Sequence, residues 1–360
     1  MPEFPVPVRK HPRRLGRVAG ALVGLAALLA VSACGGSAGS NDALTKVSVG
    51  HAAGFTNVPL YVAMDRGYFK EEGLDVELKA FKSGGDMVAP LSSGSLDAGT
   101  GAPGAGIFNA VGRGLGVRLV GDTGHLDEGN KYSSLIVRKE LVDSGKFSSI
   151  KDLKDLRMGL YAEGTSTTLW FDRALAEAGL TRADIQPNFL GGPDQAAGLE
   201  NGSIDAATLA EPFASKVIDS GAAVRFAVGA DFYPGLQLGT LMYGTAFTQK
   251  APETAVAFME GWLRGTRDFN AAIVDGQLKG EGSDEIVRII AKHTDMDEAL
   301  LKSAYFPAIS GDGTMNVEGL GEDLETFRKD GLIENKDLKI EDILDTSYAE
   351  KAQAELSAAK

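Results

Sequence analysis

The sequence predicts an α/β protein built as two similar lobes, and three observations carry that prediction. From Val47 onward, short β-like runs alternate with helical ones, the rhythm of a parallel or mixed sheet covered by helices. The rhythm returns in the second third of the chain. The segment Leu91-Ser92-Ser93-Gly94-Ser95-Leu96-Asp97-Ala98 is nearly repeated as Leu199-Glu200-Asn201-Gly202-Ser203-Ile204-Asp205-Ala206. Each copy reads as a helix stopped by a left-handed glycine, a turn into a strand, and then a proline-started helix at Pro103 or Pro212. Two αβ units arriving at similar turn chemistry would give the same pattern.

Ahead of the lobes, residues 1–33 read as an address. Arg9, Lys10, Arg13, Arg14 and Arg17 face one acid, Glu3, and Val18 to Ala33 is a 16-residue run without charge. A spanning helix takes about 20 apolar residues, so this run is short for one. A basic leader, an apolar run and small residues at its end are a secretory signal. Val31-Ser32-Ala33-Cys34 resembles the bacterial lipobox, in which the cysteine is lipidated and becomes the mature N-terminus. Arg13-Arg14 invites a twin-arginine reading, which we discount because basic leaders place arginines side by side by chance.

Cys34 is the one cysteine of 360 residues, so no internal disulfide or cysteine-held cluster can form. Cleavage before it removes five basic residues and one acidic one, taking the net charge from −13 to −17. That balance argues against a nucleic-acid partner. Residues 34–45, with Gly35 to Ser40 at their start, have the composition of a flexible tether.

The first lobe is expected to begin with a strand at Val47–Gly50 and a helix from Pro59 to about Phe69. Then come a strand at Val76–Leu78, a helix at Asp86–Ser93, a strand at Asp97–Thr100, a helix from Pro103 and a strand at Val117–Gly121. The second lobe is expected to hold strands at Leu135–Val137, Met158–Tyr161, Asn188–Leu190, Asp205–Leu209 and Val224–Val228. Its helices are Thr168–Ala178, Asp194–Asn201 and one opened by Pro212. From Pro252 the pattern is helical, with Ala255, Phe258, Met259, Trp262 and Leu263 on one face. Residues 284–304, 318–331 and 340–356 are expected to pack as further helices.

No nucleophile elbow, paired zinc histidines or phosphate loop is present in the sequence. His51, His125 and His293 are far apart, so no metal site and no cofactor is expected. His51 and His125 sit at strand ends, where a solvated or structural role competes with a functional one. The informative residues lie in strand-to-helix loops: Phe55, Thr56 and Asn57; Ser83, Gly84, Gly85 and Asp86; Gly101 and Ala102; Thr165, Ser166 and Thr167; and Glu211 before Pro212. Ligands of open α/β sheets bind where such loops gather. Helix-start N–H groups and hydroxyls there can hold an anion or polar head. Each Ser or Thr also has the simpler role of helix capping, and Glu211 that of a helix-start acid.

The run His51 to Leu78, with Gly67-Tyr68-Phe69-Lys70-Glu71-Glu72-Gly73-Leu74-Asp75-Val76 inside it, resembles the nitrate/sulfonate/taurine-type solute-binding proteins of ABC importers. Gly202-x-Ile204-Asp205-Ala206 and Glu211-Pro212-Phe213 match family features in the later lobe. The resemblance spans roughly Lys46 to Ser347. It implies the two-lobed periplasmic-binding type II fold with two hinge crossings, here near Glu128–Ser133 and Phe232–Gly239. The lobes would then be residues 46–130, 131–235, and a return at 236–360 whose helices pack mainly on the first lobe.

The resemblance also implies a ligand site from the loop residues named above, with His51, His125, Trp170, Phe213 and Tyr233 as weaker pocket walls. It implies a monomeric receptor, not an enzyme, lipid-anchored through Cys34 on the outer face of the membrane. The receptor would capture a small organic anion or aromatic compound, such as a sulfonate or aromatic carboxylate, and pass it to a permease and ATPase. Two alternatives stay open: a ligand-presenting sensor, and an enzyme like the pyrimidine-precursor synthases of the same fold. The latter use an iron site with a cysteine-rich motif, and this chain has no cysteine after Cys34.

Overall fold

A computed structural model describes residues 43–52 and 54–358. The signal, the lipobox with Cys34 and the first part of the tether fall outside the described residues.

Ten strands form two five-stranded mixed sheets. They are β1 (Thr45–Ala52), β2 (Leu74–Phe81), β3 (Ala98–Gly101), β4 (Val117–His125), β5 (Ser133–Arg138), β6 (Arg157–Leu160), β7 (Gln186–Phe189), β8 (Ala206–Ala210), β9 (Ala223–Val228) and β10 (Gln237–Gly244). The first sheet has the order β2-β1-β3-β10-β4 and the second β7-β6-β8-β5-β9. In each, β5 or β10 runs antiparallel to both its neighbours. Each antiparallel strand follows directly on a passage from the other sheet. Residues 126–132 lead from β4 into β5, and residues 229–236 lead from β9 into β10.

The repeated octapeptides occupy equivalent places. Gly94 and Gly202 have φ of 74° and 75°, a left-handed turn that only glycine adopts without cost. The aspartate three residues after each glycine ties the coming strand to its parallel neighbour, β3 to β1 and β8 to β6. Asp97 accepts hydrogen bonds from the N–H and hydroxyl of Ser48 on β1, both at 2.8 Å. Asp205 accepts from the N–H of Arg157 on β6 at 3.1 Å and from its guanidinium at 2.6 and 2.9 Å. One local sequence thus fixes one helix-to-strand junction twice.

Three expectations are corrected. The helix from Pro59 breaks: Val58–Asp65 ends, Gly67 turns left-handed at φ 77°, and a short helix Tyr68–Glu71 follows. The helix expected at Pro103 starts at Ala105. The expected second crossing runs into β10, whose residues are all buried. A strand covered on both faces shows no alternation of polar and apolar residues, and Gly239 and Gly244 disguise it further.

The long helix Pro252–Ala271 covers the first sheet, with Trp262, Phe258 and Met259 fully buried among Val47, Val49 and Leu60. Its Gly265 lies against the Val58–Asp65 helix, where an added Cβ would stand 2.9 Å from the Ala63 Cβ. The Ser347–Ala358 helix packs beside it. Val317–Lys329 reaches further than expected, touching both lobes (below). We expect Gly265→Ala to destabilise the fold by ~1–3 kcal/mol through overpacking, despite the ~1 kcal/mol that alanine gains in a helix. Urea denaturation reads this, and unchanged or raised stability would contradict the close approach.

Candidate functional site

In both sheets the parallel strands end towards the same cleft, and the loops beyond those ends meet across it. Gly104 of the first lobe forms an antiparallel bridge with Thr165 of the second. The Ala105 N–H donates to the Gly164 carbonyl at 2.9 Å, and the Ser166 N–H to the Pro103 carbonyl at 3.2 Å. A Cβ on Gly104 would lie 2.5 Å from the Gly164 oxygen, so the approach requires glycine there. The loops holding Gly101 and Ala102 on one side and Thr165, Ser166 and Thr167 on the other are therefore brought together.

Other predicted residues serve the scaffold. Asn57 is buried; its amide donates to the Ala52 and Gly54 carbonyls, and its oxygen accepts from Thr100 Oγ1. It folds the 54–57 loop onto β1 and β3. Phe55, 1% exposed, stacks on Phe306 at 4.3 Å between ring centres. Thr56 packs its methyl against Gly124 and Gly239.

Ser83 caps the Gly84–Ser93 helix by accepting from the Asp86 N–H at 3.4 Å and donates to the Asp86 carboxylate at 2.9 Å, the capping alternative named above. Gly84 and Gly101 allow that helix to sit on β3, since a Cβ on Gly101 would lie 2.6 Å from the Gly84 Cα. Gly85 is exposed. Thr165 and Thr167 share a hydrogen bond at 2.9 Å.

Glu211 is buried and turned inwards. Its carboxylate accepts from the Ser215 N–H at 3.0 Å and hydroxyl at 2.9 Å, and pairs with the Arg225 guanidinium. Burial raises its pKa, against the pull of Ser215 and Arg225. Arg225 also donates to Ser134 Oγ at 3.0 Å.

Beside this pair stand two tyrosines that the sequence reading did not single out. The Tyr132 ring lies beside Phe55, with ring centres 6.5 Å apart, burial raises its pKa, and the Tyr161 hydroxyl accepts the Ala210 N–H at 3.2 Å. Burial, then the neighbouring Glu211 charge, push Tyr161 up to about 12. Both phenols are therefore neutral, and each keeps its own O–H to donate. A loop of the first lobe, the first crossing and two strand ends of the second lobe converge at these hydroxyls.

Residues 40–274 match the NMT1-like family. The chain belongs to that family. A Bacillus subtilis (strain 168) relative, named for binding aliphatic sulfonates, is 25% identical over 94% of this NMT1-like chain and 98% of its own length. The Escherichia coli periplasmic aliphatic sulphonate binding protein SsuA superposes with a TM-score of 0.66 at 18% identity, over 85% of this chain and 99% of that one. The desulfurization enzyme DSZB superposes with a TM-score of 0.60 at 14% identity, over 88% and 100%. These likenesses show the periplasmic-binding type II fold, which holds binding proteins and an enzyme alike.

The weaker pocket-wall residues of the NMT1-like chain divide. Trp170 is fully buried and donates from Nε1 to Ser133 Oγ at 3.1 Å, which makes it core and corrects its placing in a pocket wall. Phe213 packs on Gly192. His51 meets the Tyr61 hydroxyl at 3.3 Å, and burial with the nearby His293 lowers its pKa. His125 is held by Asp122 at 2.8 Å and Asp127 at 3.1 Å. Burial opposes its charge, but the two carboxylates outweigh burial and raise its pKa.

Tyr233 donates to Asp323 Oδ1 at 2.8 Å, and Ser166 donates to Asp323 Oδ2 at 2.8 Å. Asp323 was legible in principle. With Leu320, Leu324 and Phe327 it lies on the buried stripe of its helix, where an acid is out of place. Arg225, alone in a strand, carried no such signal.

Two outcomes follow. Arg225→Met leaves Glu211 buried without its partner and costs about 3–5 kcal/mol, whereas Glu211→Leu with Arg225→Met together cost less; equal losses in urea denaturation would contradict the pairing. Burial raises Asp323 to about 6, above its unfolded value. Its contribution to stability is then full at low pH and lost as pH rises through about 6. Between pH 7 and 4 the parent protein should gain melting temperature relative to Asp323→Asn, and a constant difference would refute this.

Proposed function

We propose that the protein is an extracytoplasmic solute receptor of an ABC importer, anchored by lipid on Cys34, that delivers its ligand to a permease and ATPase. The convergence of two lobes on a charge-neutralised pair with two donating phenols carries this reading. Glu211 and Arg225 cancel, so the site offers neutral donors and no free acid. Both phenols stay neutral and can donate to a ligand oxygen. Such a set suits a ligand group that only accepts, a sulfonate or a carboxylate. The full-length B. subtilis relative supports a receptor over an enzyme. Among the described residues no helix is long and apolar enough to cross a membrane.

The test is a thermal-shift screen of alkanesulfonates, aromatic sulfonates, aromatic carboxylates, nitrate, pyrimidines and flavins at millimolar concentration. An acceptor-only anion should raise the melting temperature by linkage. Tyr132→Phe and Tyr161→Phe should each weaken that ligand by about tenfold or more, the value of one hydrogen bond to a charged group. Absence of any shift across the panel would defeat the receptor reading. Cys34→Ser should move the protein from the membrane to the soluble fraction, and retention in the membrane would defeat the anchor.

A further inference from the structure

The contact between Ser166 and Asp323 spans the cleft, and nothing in the ligand site itself requires it. Ser166 lies on the second-lobe loop that follows β6 and is fully buried. Asp323 lies on the Val317–Lys329 helix, which packs on the first lobe. There Phe327 meets Phe108, Asn109 holds the Leu332 carbonyl at 2.7 Å, and the Asn316 N–H donates to Gln237 at 3.1 Å. The other Asp323 oxygen is taken by Tyr233, in the second crossing between the sheets. Arg173 of the second lobe lies 3.3 Å over the Tyr233 ring and pairs with Glu322 at 2.9 Å. One buried carboxylate therefore touches both lobes and a crossing at once, outside residues 40–274 that match the family.

We infer that Asp323 is a positioning residue for ligand capture: it clasps the Thr165–Thr167 loop to the first lobe, so that loop placement and lobe closure become one event. The inference rests on the receptor reading above. A buried acceptor that loses a hydroxyl donor is left unsatisfied. Parting the lobes must therefore break the Ser166 bond and let water reach Asp323, which makes the clasp close as a unit. The exposed Arg173–Glu322 pair adds little of its own. The Ser166 hydroxyl is spoken for, so it serves the ligand by holding the loop rather than by direct contact.

The test uses the full chain with Cys34→Ser, spin-labelled at Ala89→Cys and Ala176→Cys, both exposed and on opposite lobes. Interlobe distances are read by pulsed electron resonance without any ligand. Asp323→Ala and Ser166→Ala should each shift population to distances longer by more than about 2 Å, the scale of hinge motion. Glu318→Ala, exposed on the same helix, should leave the distribution unchanged. Ser166→Ala removes only one hydroxyl and decides the matter if Asp323→Ala fails to fold. An unaltered distribution in Ser166→Ala would overturn the clasp without touching the receptor reading, because no ligand is present. A shift in Glu318→Ala equal to that in Ser166→Ala would also overturn it.

Discussion

The architecture depends on one strand. β10 pairs with β3 on one side and β4 on the other, so without it the first sheet would fall into two pieces. It is also the point where the chain re-enters the first lobe after building the second. Closing that pairing fixes both passages between the sheets. At the junction the Gln237 amide donates to buried Asp122 at 2.5 Å and to the Gly124 carbonyl at 3.0 Å, binding the start of β10 to the end of β4. Asp122 accepts further from the Ser310 N–H at 2.7 Å, which draws the C-terminal segment onto the same point. A buried carboxylate with its oxygens satisfied in this way holds a joint without imposing an unpaired charge.

From that joint the cleft follows. Parallel strands must end on one side of each sheet, and the two crossings set those ends opposite one another. The loops beyond the strands are glycine-rich because backbone has to approach backbone, at Gly84 against Gly101 and at Gly104 against Gly164. The polar residues near the cleft settle into pairs: Glu211 with Arg225, Asp323 with Ser166 and Tyr233, and His125 with Asp122.

Much of the fold was legible in the sequence because local rules agreed with the global outcome. The Gly94 and Gly202 turns, the Pro252 helix with its Trp262 face, and most strands follow from turn chemistry and periodicity. What escaped was whatever depends on the far side of the chain. β10 carries no alternation because both its faces are buried. Arg225 meets Glu211 only once β9 is paired with β5. Asp323 becomes informative only when Ser166 arrives from another lobe. The loop residues illustrate the same limit. Their positions at strand ends were readable, but whether Asn57 or Ser83 faces a ligand or its own backbone is decided by neighbours more than 40 residues away for Asn57 and within a turn for Ser83.

The central claim is that a small solute binds between the lobes, at the ends of the parallel strands. Hydrogen–deuterium exchange with and without the strongest stabilising anion tests it directly. The account predicts protection concentrated in residues 54–57, 101–105, 161–168 and 210–215, with the outer face of the Pro252–Ala271 helix unchanged. Protection confined to surfaces away from these loops, or none at saturating anion, would contradict it.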